Sequence, residues 1–163
     1  MSDPTAPVPA VRPIEPAVHR ALLERDDAGR PPVRSVDRTG GAPLRCCLTR
    51  ALPGDRIALV GYAPLRRWAA ETGADPGPYD EVGPVFLHDH ACAGAGPAWP
   101  AGYHLGARVL RAYDRHGHIL GGVPVTPDTA EAAAAELLAD PEVAVVHVRA
   151  VEFGCFQHEV RRA

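Results

Sequence analysis

The stretch GARVLRAYDRHGHILGGVPVTPDTAEAAAAELLADPEVAVVHVR, residues 106–149, decides the fold class. Its first half reads as a β-hairpin over residues 106–114 and 118–125, joined by Asp114-Arg115-His116-Gly117, where the glycine accepts a positive φ at little cost. A helix is expected to open at Thr126-Pro127-Asp128: Thr126 can cap, Pro127 suits the first helical position, and Asp128 and Glu131 favour the positive end of the helix dipole. Ala130, Ala133, Ala134, Leu137 and Leu138 form one apolar stripe, and Asp140-Pro141 stops the helix. Residues 143–149 return as a strand.

The same reading extends outward. Residues 14–27 predict a first helix, with Val18, Leu22 and Leu23 on one side and Gly29 to end it. Short β-rich runs follow at residues 33–37, 44–49, 56–62 and 84–88, with Leu52-Pro53-Gly54-Asp55 as a turn. Residues 72–80 and 93–100 are too rich in Gly and Pro for regular structure, and residues 155–161 predict a last strand. The expected architecture is α+β: a mainly antiparallel sheet with about two helices packed on one face. Residues 1–13 read as a flexible Pro/Ala-rich extension and residues 14–163 as a single globular domain.

A chain of 163 residues can bury roughly two thirds of its unfolded surface and needs no disulfide or metal to fold. The net charge of -3 and pI near 6.2 argue against a general nucleic-acid binder, which carries a basic excess. No run of about 18 apolar residues and no secretory signal is present, so no membrane partner is expected and the default location is cytoplasmic, with the four cysteines reduced. All 17 basic residues are Arg. No Walker loop, G-x-G-x-x-G, G-x-S-x-G or H-E-x-x-H motif is found, and no cofactor is assigned.

Arg45-Cys46-Cys47-Leu48, Leu52-Pro53-Gly54-Asp55, Gly83-Pro84-Val85-Phe86-Leu87-His88, Cys92-Ala93-Gly94, Leu110-Arg111-Ala112-Tyr113-Asp114, Ala139-Asp140-Pro141, Val146-His147-Val148-Arg149 and Gly154-Cys155-Phe156 occur in this order. The ordered set, over roughly residues 33–163, resembles a mainly bacterial family, domain of unknown function 1203. The resemblance implies a fold unit and no catalytic residues. Many members carry Asn after the His-Val-Arg of the late strand, where this chain has Ala150.

Alternation along strands suggests where chemistry could sit. In the strand at 143–149, Ala144, Val146 and Val148 suit a helix-covered core, while Val145, His147 and Arg149 share the other face. Arg45, Cys47 and Thr49 oppose Leu44, Cys46 and Leu48; Val109, Arg111 and Tyr113 oppose Leu110 and Ala112. If the polar halves coincide, Arg45, Arg111 and Arg149 would bind a small anionic metabolite, since guanidinium forks match carboxylate and phosphate oxygens. His88, Tyr113 and His147 would orient it or exchange protons, in a binding domain or a small enzyme. The alternative is a solvated sheet face.

A second possibility uses Cys155 as a nucleophile beside His88 or His147, a pairing with the nearby His158 being weakened because positions 155 and 158 face opposite sides of a strand, or a zinc site from His88, His90 and Cys92 with Cys46, Cys47 or Cys155 as a fourth ligand. No C-x-x-C pair supports the zinc reading, so no metal is assigned. A third is an interaction module, self-associating as a homodimer through an exposed strand edge.

Overall fold

The computed structural model describes residues 6–163; the expectation for residues 1–5 lies outside the described residues. In chain order the elements are β1 (Pro9–Arg12), α1 (Pro16–Leu22), β2 (Val33–Asp37), β3 (Pro43–Leu44), β4 (Thr49–Arg50), β5 (Asp55–Tyr62) and α2 (Pro64–Thr72). After a 3-10 turn at Gly77–Tyr79 come β6 (Gly83–His88), β7 (Arg108–Tyr113), β8 (Ile119–Val125), α3 (Ala130–Ala139), β9 (Val145–Ala150) and β10 (Phe156–Arg162).

The strands divide between two five-stranded sheets, ordered β1-β10-β9-β7-β8 and β2-β5-β6-β3-β4, where the sequence suggested one. Every described pairing is antiparallel except β3–β6, which is parallel at Leu44 opposite Phe86. The division has a packing cause. Ile57, Val60, Val85 and Leu87 of β5 and β6 bury with Leu22 of α1 in a core distinct from the one under α3, which Phe156 of β10 enters from the first sheet.

The helices do not share one face. Ala130, Ala134 and Leu138 of α3 pack on Leu110, Ala112, Val146 and Val148. Leu65 and Trp68 of α2 pack on Tyr113 and Val145, which alternation puts on the opposite side of the same sheet. The sequence reading overlooked α2. Its signals were present: Pro64 at the start, an amphipathic Leu-x-x-Trp step, and Gly73 in the left-handed region (φ 77°) as the C-terminal stop.

Two further expectations change. Pro9–Arg12, read as flexible extension, is an edge strand paired with β10 from Pro9↔Arg162 to Arg12↔Glu159. Proline is tolerated at an edge, and Val11 is buried against the α3 core. The expected strand at 44–49 is broken. After Leu44 the chain turns, Leu48 N–H donates to the Leu44 carbonyl (2.9 Å), and Leu48 takes φ 56°. That costly backbone is held because Leu48 buries in the α3 core. Among the described residues no helix is long and apolar enough to cross a membrane.

Candidate functional site

The turn that breaks the strand carries Arg45 into a cavity of about 440 Å³. Arg45, Arg50, Arg108, Glu152, Cys155 and Gln157 supply its polar wall, and Leu59, Phe86 and Phe153 part of its apolar one. A volume of this size suits a small organic ligand. The three guanidinium groups are anchored by neutral acceptors. Arg45 Nε donates to the Phe156 carbonyl (2.8 Å) and Nη1 to Pro43. Arg50 donates from Nε and Nη2 to the Tyr103 carbonyl at 3.1 and 2.8 Å, and lies 5.5 Å from the Tyr103 ring centre. Arg108 Nη1 donates to the Ala107 carbonyl (2.9 Å).

None of the three pairs with a carboxylate among the described residues; the ion pairs of the chain lie elsewhere. Burial, then the neighbouring arginines, push the Arg45 and Arg108 pKa values down from the ordinary range. Both groups still carry their charge at neutral pH. Glu152 is the one carboxylate among the described lining residues. The wall is therefore a field of positive charge awaiting compensation, and an anion would supply it.

Behind Arg108 stands a histidine pair. Arg108 Nε donates to His104 Nδ1 (3.2 Å), so the His104 proton sits on Nε2, which donates to His158 Nε2 (2.8 Å). Burial is the main cause holding His104 down to about 4 and His158 well below its ordinary value. Both rings are neutral at pH 7, and together they fix the guanidinium plane of Arg108.

The face expected to carry the site is assembled but occupied. Arg111, Tyr113, His147 and Arg149 are neighbours: Arg111 Nη1 donates to Tyr113 Oη (3.3 Å), and the Tyr113 and His147 rings lie 4.8 Å apart. Glu81 takes both charges, 3.0 Å from Arg111 and 3.4 Å from Arg149. His147 donates to Glu159 (3.2 Å), which Arg161 also holds at 2.6 Å. Burial holds the His147 pKa down, so it is a neutral donor. Burial alone would raise Glu159, but His147 and Arg161 outweigh it and keep Glu159 ionised. Nor is this face solvated: Tyr113 and His147 are fully buried, Tyr113 against Leu65 and Trp68 of α2 and His147 edge-on to Phe156. Arg45 does not join this group, because it leaves from a turn and not from a strand.

His88 ends β6 beside the turn that holds Arg45. Its Nδ1 lies 3.6 Å from Cys46 Sγ and 3.8 Å from Cys47 Sγ, and the ligand atoms of Cys46, Cys47, His88 and Cys92 all lie within 4.8 Å of one another. His90 stacks on the His88 ring (4.7 Å) and stays outside the group. Cys155 lies apart, on the wall of the arginine cavity; its thiol has a long contact to the Phe153 carbonyl (4.0 Å) and no hydrogen bond to a histidine among the described residues.

A family model, Protein of unknown function (DUF1203), matches residues 41–162. The chain belongs to this family. No curated protein and no solved structure matches it. The DUF1203 match takes in both sheets from β3 onward, so the arginine cavity and the Cys/His group fall inside it, while β1, α1 and β2 precede it.

Within this DUF1203 unit, Arg50, Arg108 and Gln157 were missed by the sequence reading. Arg108 left a signal. Alternation puts it with Leu110 and Ala112 on the helix-covered face, where a charge needs a reason. Arg50 and Gln157 left none, since only the folded turn and a register shift between Phe156 and His158 aim them at the cavity.

Proposed function

We propose that this protein binds a small organic anion, a carboxylate or phosphate ester with an apolar body, in the cavity walled by Arg45, Arg50 and Arg108. The observation that carries this reading is that three arginines converge on one cavity without a carboxylate partner among the described residues. Arg45 Nη2 and Arg108 Nη2 make no hydrogen bond among the described residues, so each keeps a donor for the ligand. Leu59, Phe86 and Phe153 would take the apolar body. The buried Gln157 Oε1, without a partner among the described residues, would accept from a ligand hydroxyl.

This keeps the expected ligand class and Arg45, and replaces Arg111 and Arg149, whose charge Glu81 already balances, by Arg50 and Arg108. His88, Tyr113 and His147 are then structural neighbours and not groups that touch the ligand. Calorimetric titration with inorganic phosphate, phenyl phosphate and benzoate tests the reading. Phenyl phosphate is expected to bind most tightly, and Arg108→Gln to weaken it by about tenfold or more, in keeping with loss of one charge-assisted hydrogen bond. Absence of saturable binding by all three anions, or affinity unchanged in both Arg45→Gln and Arg108→Gln, would sink the proposal.

A further inference from the structure

We propose that Cys46, Cys47, His88 and Cys92 form a four-ligand zinc(II) site that ties the 45–48 turn, the end of β6 and the following loop together. The sequence reading assigned no metal, and the anion proposal neither uses nor requires one.

The distances carry the inference. With Zn–S near 2.3 Å and Zn–N near 2.0–2.1 Å, a tetrahedral site holds sulfur and nitrogen roughly 3.5 Å apart, and two sulfurs roughly 3.8 Å apart. Cys46 and Cys47 stand 3.6 and 3.8 Å from His88 Nδ1, and every ligand atom of the four lies within 4.8 Å of the rest. A hydrogen-bonded thiol cluster explains this less well. One imidazole nitrogen takes part in one good hydrogen bond, yet two sulfurs crowd it at nearly equal distance, with a third beside them.

The surroundings fit a metal thiolate. His88 N–H donates to Cys46 Sγ (3.4 Å), and Thr49 Oγ1 lies 3.0 Å from Cys47 Sγ. The Asp55 carboxylate lies 3.9 Å from His88 Nε2, the position from which a carboxylate orients a metal-bound histidine. Adjacent cysteines reach one ion because the chain turns sharply there, with Leu48 at φ 56°. Three thiolates and one imidazole leave no open coordination position, so the site would be structural and not catalytic.

The test uses the full chain, reduced and stripped with a chelator, then titrated with Zn²⁺ against a chromophoric competitor. One tightly held equivalent is expected. Cys92→Ser and His88→Gln are each expected to lose affinity by more than about a hundredfold, Asp55→Asn by about tenfold to a hundredfold as an orienting partner does, and Cys155→Ser by nothing measurable. Cobalt(II) in the unaltered chain should give the intense visible bands and sulfur-to-metal charge transfer of a tetrahedral thiolate site, a readout independent of any variant. Failure to outcompete a weak chelator, full affinity in Cys92→Ser, or a six-coordinate cobalt spectrum would overturn the assignment.

Discussion

The Nε2 atoms of His104 and His158 meet at 2.8 Å, one donating and one accepting, in the interior behind Arg108. Their folded pKa values are depressed by burial, His104 to about 4. Unfolded, each would titrate near 6.5. The unfolded chain therefore binds more protons than the folded one below that pH. Stability is full above about pH 6.5 and falls as pH drops, with each such histidine contributing a slope of up to about 1.4 kcal/mol per pH unit until its folded pKa is reached. Urea unfolding at pH 8.0, 6.5 and 5.5 checks this: little change is expected across the first pair and a clear loss across the second. A His104→Gln, His158→Gln double variant should flatten the lower limb.

The two acidic hubs should respond very differently. Glu81 is half exposed, and its pairs with Arg111 and Arg149 resemble surface ion pairs, so Glu81→Gln should cost under about 1 kcal/mol. Glu159 is buried between His147 and Arg161, and Glu159→Gln should cost about 2 kcal/mol by weakening the hydrogen bonds that His147 and Arg161 donate to its carboxylate. Denaturant midpoints at pH 7.5 compare them directly. Equal costs would mean that Glu81 is better shielded than its exposure implies.

Gly117 and Gly121 make a matched pair in the β7–β8 hairpin. Gly117 has φ 84°, and a Cβ there would stand 2.9 Å from Pro76 Cβ and 3.3 Å from Trp68. Gly121 has open space around it. Gly117→Ala should lower stability by about 1–3 kcal/mol through backbone strain and overpacking, whereas Gly121→Ala should be neutral or stabilise by up to about 1 kcal/mol. Thermal midpoints of the two variants are sufficient to tell.

Within the arginine cavity, Glu152 opposes the proposed ligand. Glu152→Gln removes the one carboxylate among the described lining residues. It should tighten phenyl phosphate binding several-fold, about 1 kcal/mol or less, with the gain shrinking at high salt. Titrations at two ionic strengths would show it, and weaker binding in the variant would mean that Glu152 holds Arg108 in place.

Local signals carried much of the strand pattern. Val33–Asp37 is where alternation and flanking turns put it, and the α3 stripe meets Val146 and Val148 as the face assignment for that strand requires. What escaped depends on contacts between distant residues. Cys46 and Cys92 are far apart in sequence, and no spacing rule joins them; the 45–48 turn does, and it was hidden because Arg45-Cys46-Cys47-Leu48 also alternates plausibly as a strand. The division into two sheets was equally silent, since pairing partners are chosen by which cores close. For the site, the residue types were legible and their neighbours were not. Arg111 and Arg149 do lie together, but Glu81, from a separate loop, neutralises them.

The pairing of Pro9 with Arg162 joins one of the earliest described strands to the last. β10 lies between β1 and β9, so β1 has no partner until nearly the whole chain exists. The second sheet needs only residues 33–88 and can form from nearby pairings. Closure of the first sheet must instead span almost the full length of the polypeptide, at the entropic cost of a large loop. Until β10 arrives, β9 is an open edge and β1 is unpaired, and a chain arrested before β10 would offer both to its neighbours. The clasp of β1 is therefore a safeguard that operates last, and the vulnerable interval of this protein is the one before it shuts.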